Sequence, residues 1–133
     1  MTSVQDAQTV LIVEDDKSIA ELISWILNDA GFRVYTATTV ATALQRIEEV
    51  HPDLVVADLI LPDGLGTELV ATLRRFASEK PATLMMSAHP QAVEHAQRAG
   101  ADACLPKPFD LDEFYETVSQ LVDHAQRASY LES

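Results

Sequence analysis

Five short runs rich in apolar residues alternate along the chain with segments in which apolar residues recur every three or four positions. The runs have the length and the β-branched or bulky side chains of buried strands, and the segments between them have the spacing of one-sided helices. Such alternation predicts a parallel sheet with helices packed on both faces. The predicted fold class is therefore α/β, with five βα units in three layers. The predicted strands are residues 10–13, 33–37, 54–58, 83–87 and 103–105.

The first two predicted helices have recognisable ends. Ser18 and Glu21 have the spacing of a capping box, and Gly31 is expected to end the first helix. Thr39 is expected to begin the second helix and His51-Pro52 to end it, because the residue before a proline avoids the helical region. The expected buried faces are Ile19, Leu22, Ile23, Ile26 and Leu27 in the first helix, and Val40, Ala43, Leu44 and Ile47 in the second.

The last three helices follow the third, fourth and fifth strands. The short fourth helix, expected from Pro90 to Ala99, has little beyond Val93 and small alanines to bury. We therefore expect it to have low local stability and to be mobile or displaced, with Gly100 at its end. Asp110 and Glu113 are expected to start the last helix. The expected buried faces are Leu69, Val70, Leu73 and Phe76 in the third helix, and Leu111, Phe114, Val118, Leu121 and Val122 in the last.

The composition predicts one domain with no membrane anchor. A chain of 133 residues, 47% of them apolar, suffices for one core, expected at about residues 9–125 with a tail at 1–8 and an extension of the last helix at 126–133. A formal net charge of −12 argues against direct binding of nucleic acid. The start lacks a basic and apolar leader, and no apolar stretch approaches about 20 residues. We therefore expect a cytoplasmic chain that does not contact membranes.

Two single residues have unremarkable expected roles. The lone cysteine, Cys104, lies in an apolar run and is expected to be a small buried hydrophobic residue. Trp25 lies beside the apolar face of the first helix and is expected to be partly buried rather than to anchor a partner.

Polar side chains follow four of the predicted strands at the point where each strand ends. Because the carboxyl ends of parallel strands share one edge, where ligands bind, we expect these side chains to converge. Carboxylates brought together raise one another's pKa unless a cation intervenes, and Mg²⁺ prefers a few carboxylate oxygens together with a phosphate. The sequence therefore predicts a site for magnesium and a phosphoryl group. Its residues are Glu14 and Asp15 after the first strand, Asp58 and Ser87 at the ends of the third and fourth, and Lys107 after the fifth.

Each of these residues has an expected chemical role. Asp58 is the candidate nucleophile, because an aspartate carboxylate can accept a phosphoryl group to form an acyl phosphate. Lys107 supplies a point charge for a phosphate oxygen, and Ser87 supplies a hydroxyl donor. Asp16 is expected to cap the following helix rather than to join the site. His89, two residues beyond Ser87, is expected to border the site and to affect hydrolysis of the acyl phosphate.

The chain resembles the receiver domain of two-component response regulators. The resemblance covers about residues 9–125 and rests on VLIVEDD, DLVVADLILPDGLG, LMMSAH and AGADACLPKPF, in that order. It implies a flavodoxin-like doubly wound fold with a parallel sheet of strand order 2-1-3-4-5. It also implies that Mg²⁺ is held by Glu14, Asp15, Asp58 and the backbone carbonyl of Ile60.

The resemblance further implies a phosphorylation-controlled switch rather than a metabolic enzyme. Asp58 would accept the phosphoryl group of a sensor histidine kinase or a phosphotransfer protein, Ser87 would shift towards it, and Lys107 would pair with it. The bond between Lys107 and Pro108 would be cis, a conformation that is essentially confined to proline. The chain would catalyse only its own phosphorylation and dephosphorylation, and would alter a surface read by a downstream protein target or a fused output domain.

The sequence departs from the family pattern at two places. Cys104 stands where many receivers carry an aromatic residue, three positions before the lysine, and a thiol lacks the apolar area that rewards inward rotation of a ring. We therefore expect a switch that is built differently or is weak. The span from Ser87 to Lys107 is also shorter than the family pattern, and the missing length is expected in or before the fourth helix.

Two other functions stay open. A Mg²⁺-dependent phosphohydrolase with an aspartate nucleophile usually has a second aspartate two residues later, where this chain has Ile60. A receiver-fold interaction domain without phosphotransfer usually lacks one of the site residues, and none is lost here. The sequence leaves open the cognate kinase, the output and the formation of a homodimer.

Overall fold

The main sheet consists of five parallel strands. The structure is a computed structural model that describes residues 8–76, 80–89 and 91–132, and the side chains of these residues up to 123. The sheet strands are β1 (Thr9–Val13), β2 (Arg33–Ala37), β3 (Leu54–Asp58), β6 (Ala82–Ser87) and β7 (Ala103–Pro106), in the spatial order β2-β1-β3-β6-β7. Strands β4 (Ile60–Leu61) and β5 (Gly64–Leu65) form a separate antiparallel hairpin directly after β3. Counted within the main sheet alone, the order is 2-1-3-4-5, and this prediction is confirmed.

Within the described residues, five helices cover the two faces of the sheet. They are α1 (Lys17–Asp29), α2 (Val40–Val50), α3 (Gly66–Phe76), α4 (Ala92–Ala99) and α5 (Leu111–Glu132). Alternate residues of each central strand point to opposite faces. Leu11 and Val13 of β1 therefore pack in the core cluster with α2, α3 and α4, whereas Val10 and Ile12 pack in the cluster with α1 and α5. The predicted three-layer α/β fold is confirmed.

The ends of α1 correct one prediction and confirm two. Asp16 is the N-cap residue, with an extended backbone and an Oδ1 that accepts a hydrogen bond from the Ile19 N–H at 3.1 Å. The predicted Ser18–Glu21 capping box is therefore wrong, because the helix already begins at Lys17 and Ser18 lies inside it. The predicted capping role of Asp16 is confirmed. Gly31, with φ of 98°, follows the end of the helix as predicted.

The predicted ends of α2 are confirmed. The Thr39 hydroxyl accepts a hydrogen bond from the Thr42 N–H at 3.0 Å, and the Thr42 hydroxyl accepts one from the Thr39 N–H at 3.2 Å, which completes a capping box. His51 ends the helix in the left-handed conformation, immediately before Pro52.

Several expected buried faces are wrong at single positions. Trp25 is 68% exposed and Leu22 is half exposed, because the buried line of α1 runs through Ala20, Ile23 and Leu27. At about 100° per residue, Trp25 lies on the far side of the helix from Ile23. Two more expected core residues are exposed: Phe76, whose ring lies 5.8 Å from the Arg75 guanidinium carbon, and Leu111 at the start of α5.

The fourth helix is short, as expected, but buries different residues. Ala92 and Ala96 are buried, whereas Val93 is exposed, so the expected role of Val93 is wrong. Gln91 caps the helix without a side-chain hydrogen bond, and Gly100 ends it in the left-handed conformation as predicted. Pro90 lies outside the described residues, and the predicted mobility of α4 stays a prediction.

The strand boundaries agree with the predicted ones to within one residue. Strand β6 begins at Ala82 rather than Thr83, and β7 continues to Pro106 rather than ending at Leu105. Helix α5 continues to Glu132, while residues 1–7 of the expected tail and residue 133 lie outside the described part of the chain. None of the described helices combines the length and the apolar character that a membrane crossing requires.

We predict that Gly66→Ala destabilises the fold by about 3 kcal/mol. A Cβ atom at residue 66 would collide with the backbone carbonyl oxygen of Asp58 and lie 2.9 Å from Cε of Met85. The matched control is Gly64→Ala, whose Cβ would lie 3.3 Å from the flexible Glu68 carboxylate and should cost less than about 1 kcal/mol. Equilibrium urea unfolding measures both variants, and equal stability of the two would contradict this packing.

Candidate functional site

The predicted site residues meet at the carboxyl edge of the main sheet. Glu14 follows β1, Asp58 ends β3, Ser87 ends β6 and Lys107 follows β7. Parallel pairing sets Asp58 beside Met86 and Ser87 beside Pro106, so that these strands end at nearly the same level. Residues up to 93 positions apart in sequence are thereby brought within hydrogen-bonding distance.

Three carboxylates are clustered at this edge. Glu14, Asp15 and Asp58 each offer an oxygen atom, and these oxygens all lie within 4.8 Å of one another. Glu14 is 2% exposed, Asp58 is partly buried and Asp15 is exposed. The cluster therefore opens to solvent on the side of Asp15, and its donors are the hard oxygen atoms that Mg²⁺ prefers.

Lys107 bridges two of the carboxylates. Its Nζ lies 3.3 Å from Oε1 of Glu14 and 3.4 Å from Oδ2 of Asp58. Its backbone N–H donates to the Ser87 carbonyl at 2.7 Å, which fixes the start of the side chain at the end of β6. The peptide bond between Lys107 and Pro108 is cis.

The electrostatics of the cluster follow from burial and from close like charges. Burial and the nearby Asp58 raise the pKa of Glu14, and they outweigh the opposing effects of the Asp16 N–H and Lys107. Burial would lower the pKa of Lys107, but Asp58 and Glu14 together raise it above its usual value. The ammonium is therefore held charged, and three acidic groups face one positive charge.

Ser87 is buried at the edge of the site, with its hydroxyl partly engaged. Its Oγ accepts a hydrogen bond from the His89 N–H at 2.9 Å, which leaves the hydroxyl hydrogen free to donate elsewhere. The His89 ring is exposed, its Nδ1 accepts a bond from the Gln91 N–H at 3.2 Å, and the His95 ring lies 6.1 Å away. The side chain of His89 thus faces the start of α4.

Ile60 and Cys104 belong to different elements, the hairpin after β3 and the strand β7. Ile60 belongs to the hairpin after Asp58, and its side chain is 61% exposed. Its backbone pairs with Leu65 across the hairpin. Cys104 lies on β7 beside Met85, packs on the core while remaining partly accessible, and has a pKa raised by burial. Cys104 was expected to be a small buried hydrophobic residue, and it is partly buried against the core.

Sequence reasoning missed Asp63. Its two carboxylate oxygens accept hydrogen bonds from the backbone N–H groups of Val40 at 2.7 Å and Ala41 at 3.1 Å, at the start of α2. These two bonds lower the pKa of Asp63. The Pro-Asp-Gly turn around residue 63 signals a tight loop. It does not signal which helix the carboxylate reaches.

Sequence reasoning also missed a cleft that continues from the acidic cluster along α1. The cleft has a volume of about 710 Å³ and separates α1 from the segment that ends β2. Trp25 is exposed along it, so a large amphipathic side chain borders the approach to the carboxylates. The lining residues include Glu14, Asp15, Lys17, Trp25, Asn28 and Thr36.

Known proteins share this sequence pattern. KDP operon transcriptional regulatory protein KdpE of Escherichia coli is 36% identical over 104 residues, which are 78% of this chain and 46% of that protein. Transcriptional regulatory protein KdpE of Mycobacterium tuberculosis is 34% identical over 125 residues, which are 92% of this chain and 54% of that protein. The chain therefore spans about half the length of these relatives.

Solved structures share the fold. A putative response regulator from Chloroflexus aurantiacus superposes with a TM-score of 0.84 at 31% identity, covering 89% of this chain and 99% of that one. Chemotaxis response regulator CheY4 of Vibrio cholerae superposes with a TM-score of 0.80 at 29% identity, covering 86% and 98%. Both are similar to this chain along nearly their whole length.

The model of the response regulator receiver domain family matches residues 10–119, which include every residue of the acidic cluster and Lys107. With the sheet order, the site and the relatives in agreement, the chain belongs to the receiver domain family of two-component response regulators.

Proposed function

We propose that the chain accepts a phosphoryl group on Asp58 from the phosphohistidine of a sensor histidine kinase or a phosphotransfer protein. The observation that carries this proposal is the position of the Lys107 ammonium, 3.3 Å from Glu14 and 3.4 Å from Asp58 within a three-carboxylate cluster. An isolated carboxylate at a strand end is common. A carboxylate that shares a cation with a buried second carboxylate lowers the stability of the folded state, because charged groups lose their hydration on burial, and such an arrangement points to function.

The transfer itself requires one nucleophile and one leaving group. An Asp58 carboxylate oxygen forms a bond to phosphorus, the bond from phosphorus to the donor imidazole nitrogen breaks, and its electron pair stays on that nitrogen. Lys107 is placed to meet one oxygen of the transferred group, since its ammonium already lies beside Asp58. The Ser87 hydroxyl has a free hydrogen to donate to another oxygen.

The acidic cluster suits Mg²⁺. Glu14, Asp15, Asp58 and the backbone carbonyl of Ile60 would hold the ion, and the openness at Asp15 leaves room for the waters that Mg²⁺ retains. When bound, the ion supplies positive charge that offsets charge on the transferring group. The residues themselves orient the nucleophile and keep Lys107 protonated.

The surface beside the site suits a protein donor. Leu22 and Trp25 are exposed on α1, which begins two residues after Asp15 and borders the cleft that continues from the acidic cluster. Large apolar side chains beside a reactive group are typical of protein contact surfaces. We infer that a donor protein rather than a small metabolite normally delivers the phosphoryl group, in the cytoplasm.

The proposed output is a change in protein contacts. Addition of a phosphoryl group would place new negative charge between Lys107 and Ser87 and repopulate the loops around them. The named relatives are transcriptional regulators, and this chain matches only about half of their length. We propose that a fused output domain or a separate protein reads the change, and that this acidic segment does not itself bind nucleic acid.

The phosphohydrolase alternative lacks support at one position. Such enzymes need an acid or base two residues after the nucleophile, and the Ile60 side chain there is apolar and turned to solvent. Phosphorylation of Asp58 would distinguish the proposed function from a receiver-fold interaction domain without phosphotransfer.

We predict that acetyl phosphate with Mg²⁺ adds one phosphoryl group to the wild-type protein and none to Asp58→Asn. The reason is that an amide cannot act as the nucleophile, although it keeps nearly the same shape. Mass spectrometry of the intact protein measures the addition, and hydroxylamine should remove it because an acyl phosphate is reactive. Equal phosphorylation of Asp58→Asn, or none of either protein, would contradict the proposal.

We predict that Glu14→Gln, without metal, is more stable than the wild type at pH 7.5 by on the order of 1 kcal/mol. The folded-state pKa of Glu14 is raised above its usual 4.5, so the folded wild type binds more protons than the unfolded chain between the two pKa values. Its stability therefore falls, relative to the variant, as pH rises through that window.

Urea unfolding at pH 4.5 and at pH 7.5 tests this sign. The advantage of Glu14→Gln should shrink towards pH 4.5, where about half of the unfolded carboxyls are also protonated. Glu113→Gln, at an exposed position on α5, serves as a control for loss of one acidic charge. An advantage for Glu14→Gln that is independent of pH, or shared by the control, would contradict the account of the site.

A further inference from the structure

The hairpin after Asp58 is tied to a different part of the fold by Asp63. The hairpin spans Ile60 to Leu65, and it closes with a hydrogen bond from the Gly66 N–H to the Leu59 carbonyl at 2.7 Å. At its tip, Asp63 bonds to two backbone N–H groups of α2, 22 and 23 residues away in sequence. The contact therefore joins two loops at the carboxyl edge of the sheet.

The contact completes the cap of α2 and also joins that helix to the hairpin. Helix α2 already has a capping box, in which Thr39 and Thr42 satisfy each other's backbone N–H groups. The capping box leaves the amides of Val40 and Ala41, and Asp63 accepts a hydrogen bond from each of them. The positive end of the helix dipole favours a carboxylate at this position. A Cβ at the neighbouring Gly64 would lie 3.6 Å from a Val40 methyl, so the hairpin tip lies beside the first residue of α2.

Strand pairing does not hold the hairpin against the Glu14 side of the site. The pairing of β1 with β3 ends at Val13 and Ala57, before the hairpin begins. The Leu59 N–H is bonded to Met86 of β6, on the other side. The position of Ile60 relative to Glu14 therefore needs a further connection.

Asp63 provides this connection through α2. The Glu14 N–H donates to the Ala37 carbonyl at 3.0 Å, where β2 ends. Two residues later Thr39 caps α2, whose first amides are bonded to Asp63 on the hairpin. A continuous path of backbone and short hydrogen bonds thus runs from Glu14 around to Ile60.

We propose that Asp63 is a positioning residue that holds the Ile60 hairpin in place relative to the carboxylates of Glu14 and Asp15. It touches neither a phosphoryl group nor a metal ion, and it acts through the hairpin backbone. The proposal rests on the proposed function, in which the Ile60 carbonyl is one of the groups that hold Mg²⁺. The start of α2 would in turn respond to occupancy of the site, since the same bonds join them.

The test compares Asp63→Ala with Thr39→Ala. Both variants remove an acceptor from the first turn of α2, but only Asp63→Ala cuts the link to the hairpin. We expect Mg²⁺ to bind Asp63→Ala about tenfold more weakly than the wild type, and to bind Thr39→Ala unchanged. Isothermal titration calorimetry with MgCl₂ alone measures the affinity. The affinity of Asp63→Asn, which keeps one acceptor oxygen, should lie between those of Asp63→Ala and the wild type.

Hydrogen exchange of the metal-free proteins gives a second readout. In Asp63→Ala the amides of Val40 and Ala41 should exchange about tenfold faster. The amides of residues 60, 61 and 63–65 should also be less protected, whereas Pro62 has no N–H to exchange. In Thr39→Ala the hairpin amides should exchange as in the wild type. Equal Mg²⁺ affinity of Asp63→Ala and wild type, or equal weakening in Thr39→Ala, would overturn the proposal.

The two proposals can fail separately. If the wild-type protein bound no Mg²⁺ and accepted no phosphoryl group, the proposed function would fail. Hydrogen exchange would still decide the role of Asp63, because it needs no ligand. Unchanged protection of residues 60–65 in Asp63→Ala would overturn that role even if phosphorylation of Asp58 were established.

Discussion

The contact on which the site depends is the sharing of one ammonium, that of Lys107, by the carboxylates of Glu14 and Asp58. Glu14 is buried, and its pKa is raised by that burial and by its neighbour. Such an arrangement costs folding free energy, since ionised carboxylates are poorly solvated there and repel one another. One positive charge offsets only part of this cost. The remaining excess of negative charge is what suits the cluster to a divalent cation in the function we propose, with the Asp58 carboxylate as the proposed acceptor of a phosphoryl group.

The parallel sheet makes this arrangement achievable in a small domain. Its apolar interior, with Leu11, Val55 and Met85 facing one layer and Ile12, Val56 and Met86 facing the other, sets the strands in register. Once the register is set, the first residue beyond each strand is fixed in space. The charged side chains need no mutual attraction to come together, because the core positions them. The loops then add detail, and Asp63 shows that one loop can be fixed by the end of a helix that precedes it in the chain.

Sequence patterns predicted the parts of the structure that repeat. The apolar runs gave the five sheet strands to within a residue, and the strand ends gave the cluster of Glu14, Asp15, Asp58 and Lys107. Predictions were wrong where two local signals competed or where burial depended on the neighbouring layer. Asp16 and Ser18 are both good N-cap residues two positions apart, and only the backbone conformation decides between them. Phe76 fits the apolar spacing of α3, yet its ring is exposed. Spacing places a residue on the apolar face of a helix, but the residue is buried only where another element packs over it. Asp63 could not be foreseen, because periodicity carries no information on contacts between distant loops.

The central claim is that the acidic cluster is destabilising by itself and is completed by a divalent cation, and the dependence of unfolding on Mg²⁺ tests it most directly. A ligand that binds only the folded state stabilises it by RT ln(1 + [L]/Kd). The free energy of unfolding of the wild-type protein should therefore rise with Mg²⁺ concentration at constant ionic strength, and the rise should be absent in Asp15→Asn. A free energy of unfolding that Mg²⁺ leaves unchanged in the wild type, or raises equally in Asp15→Asn, would contradict the account.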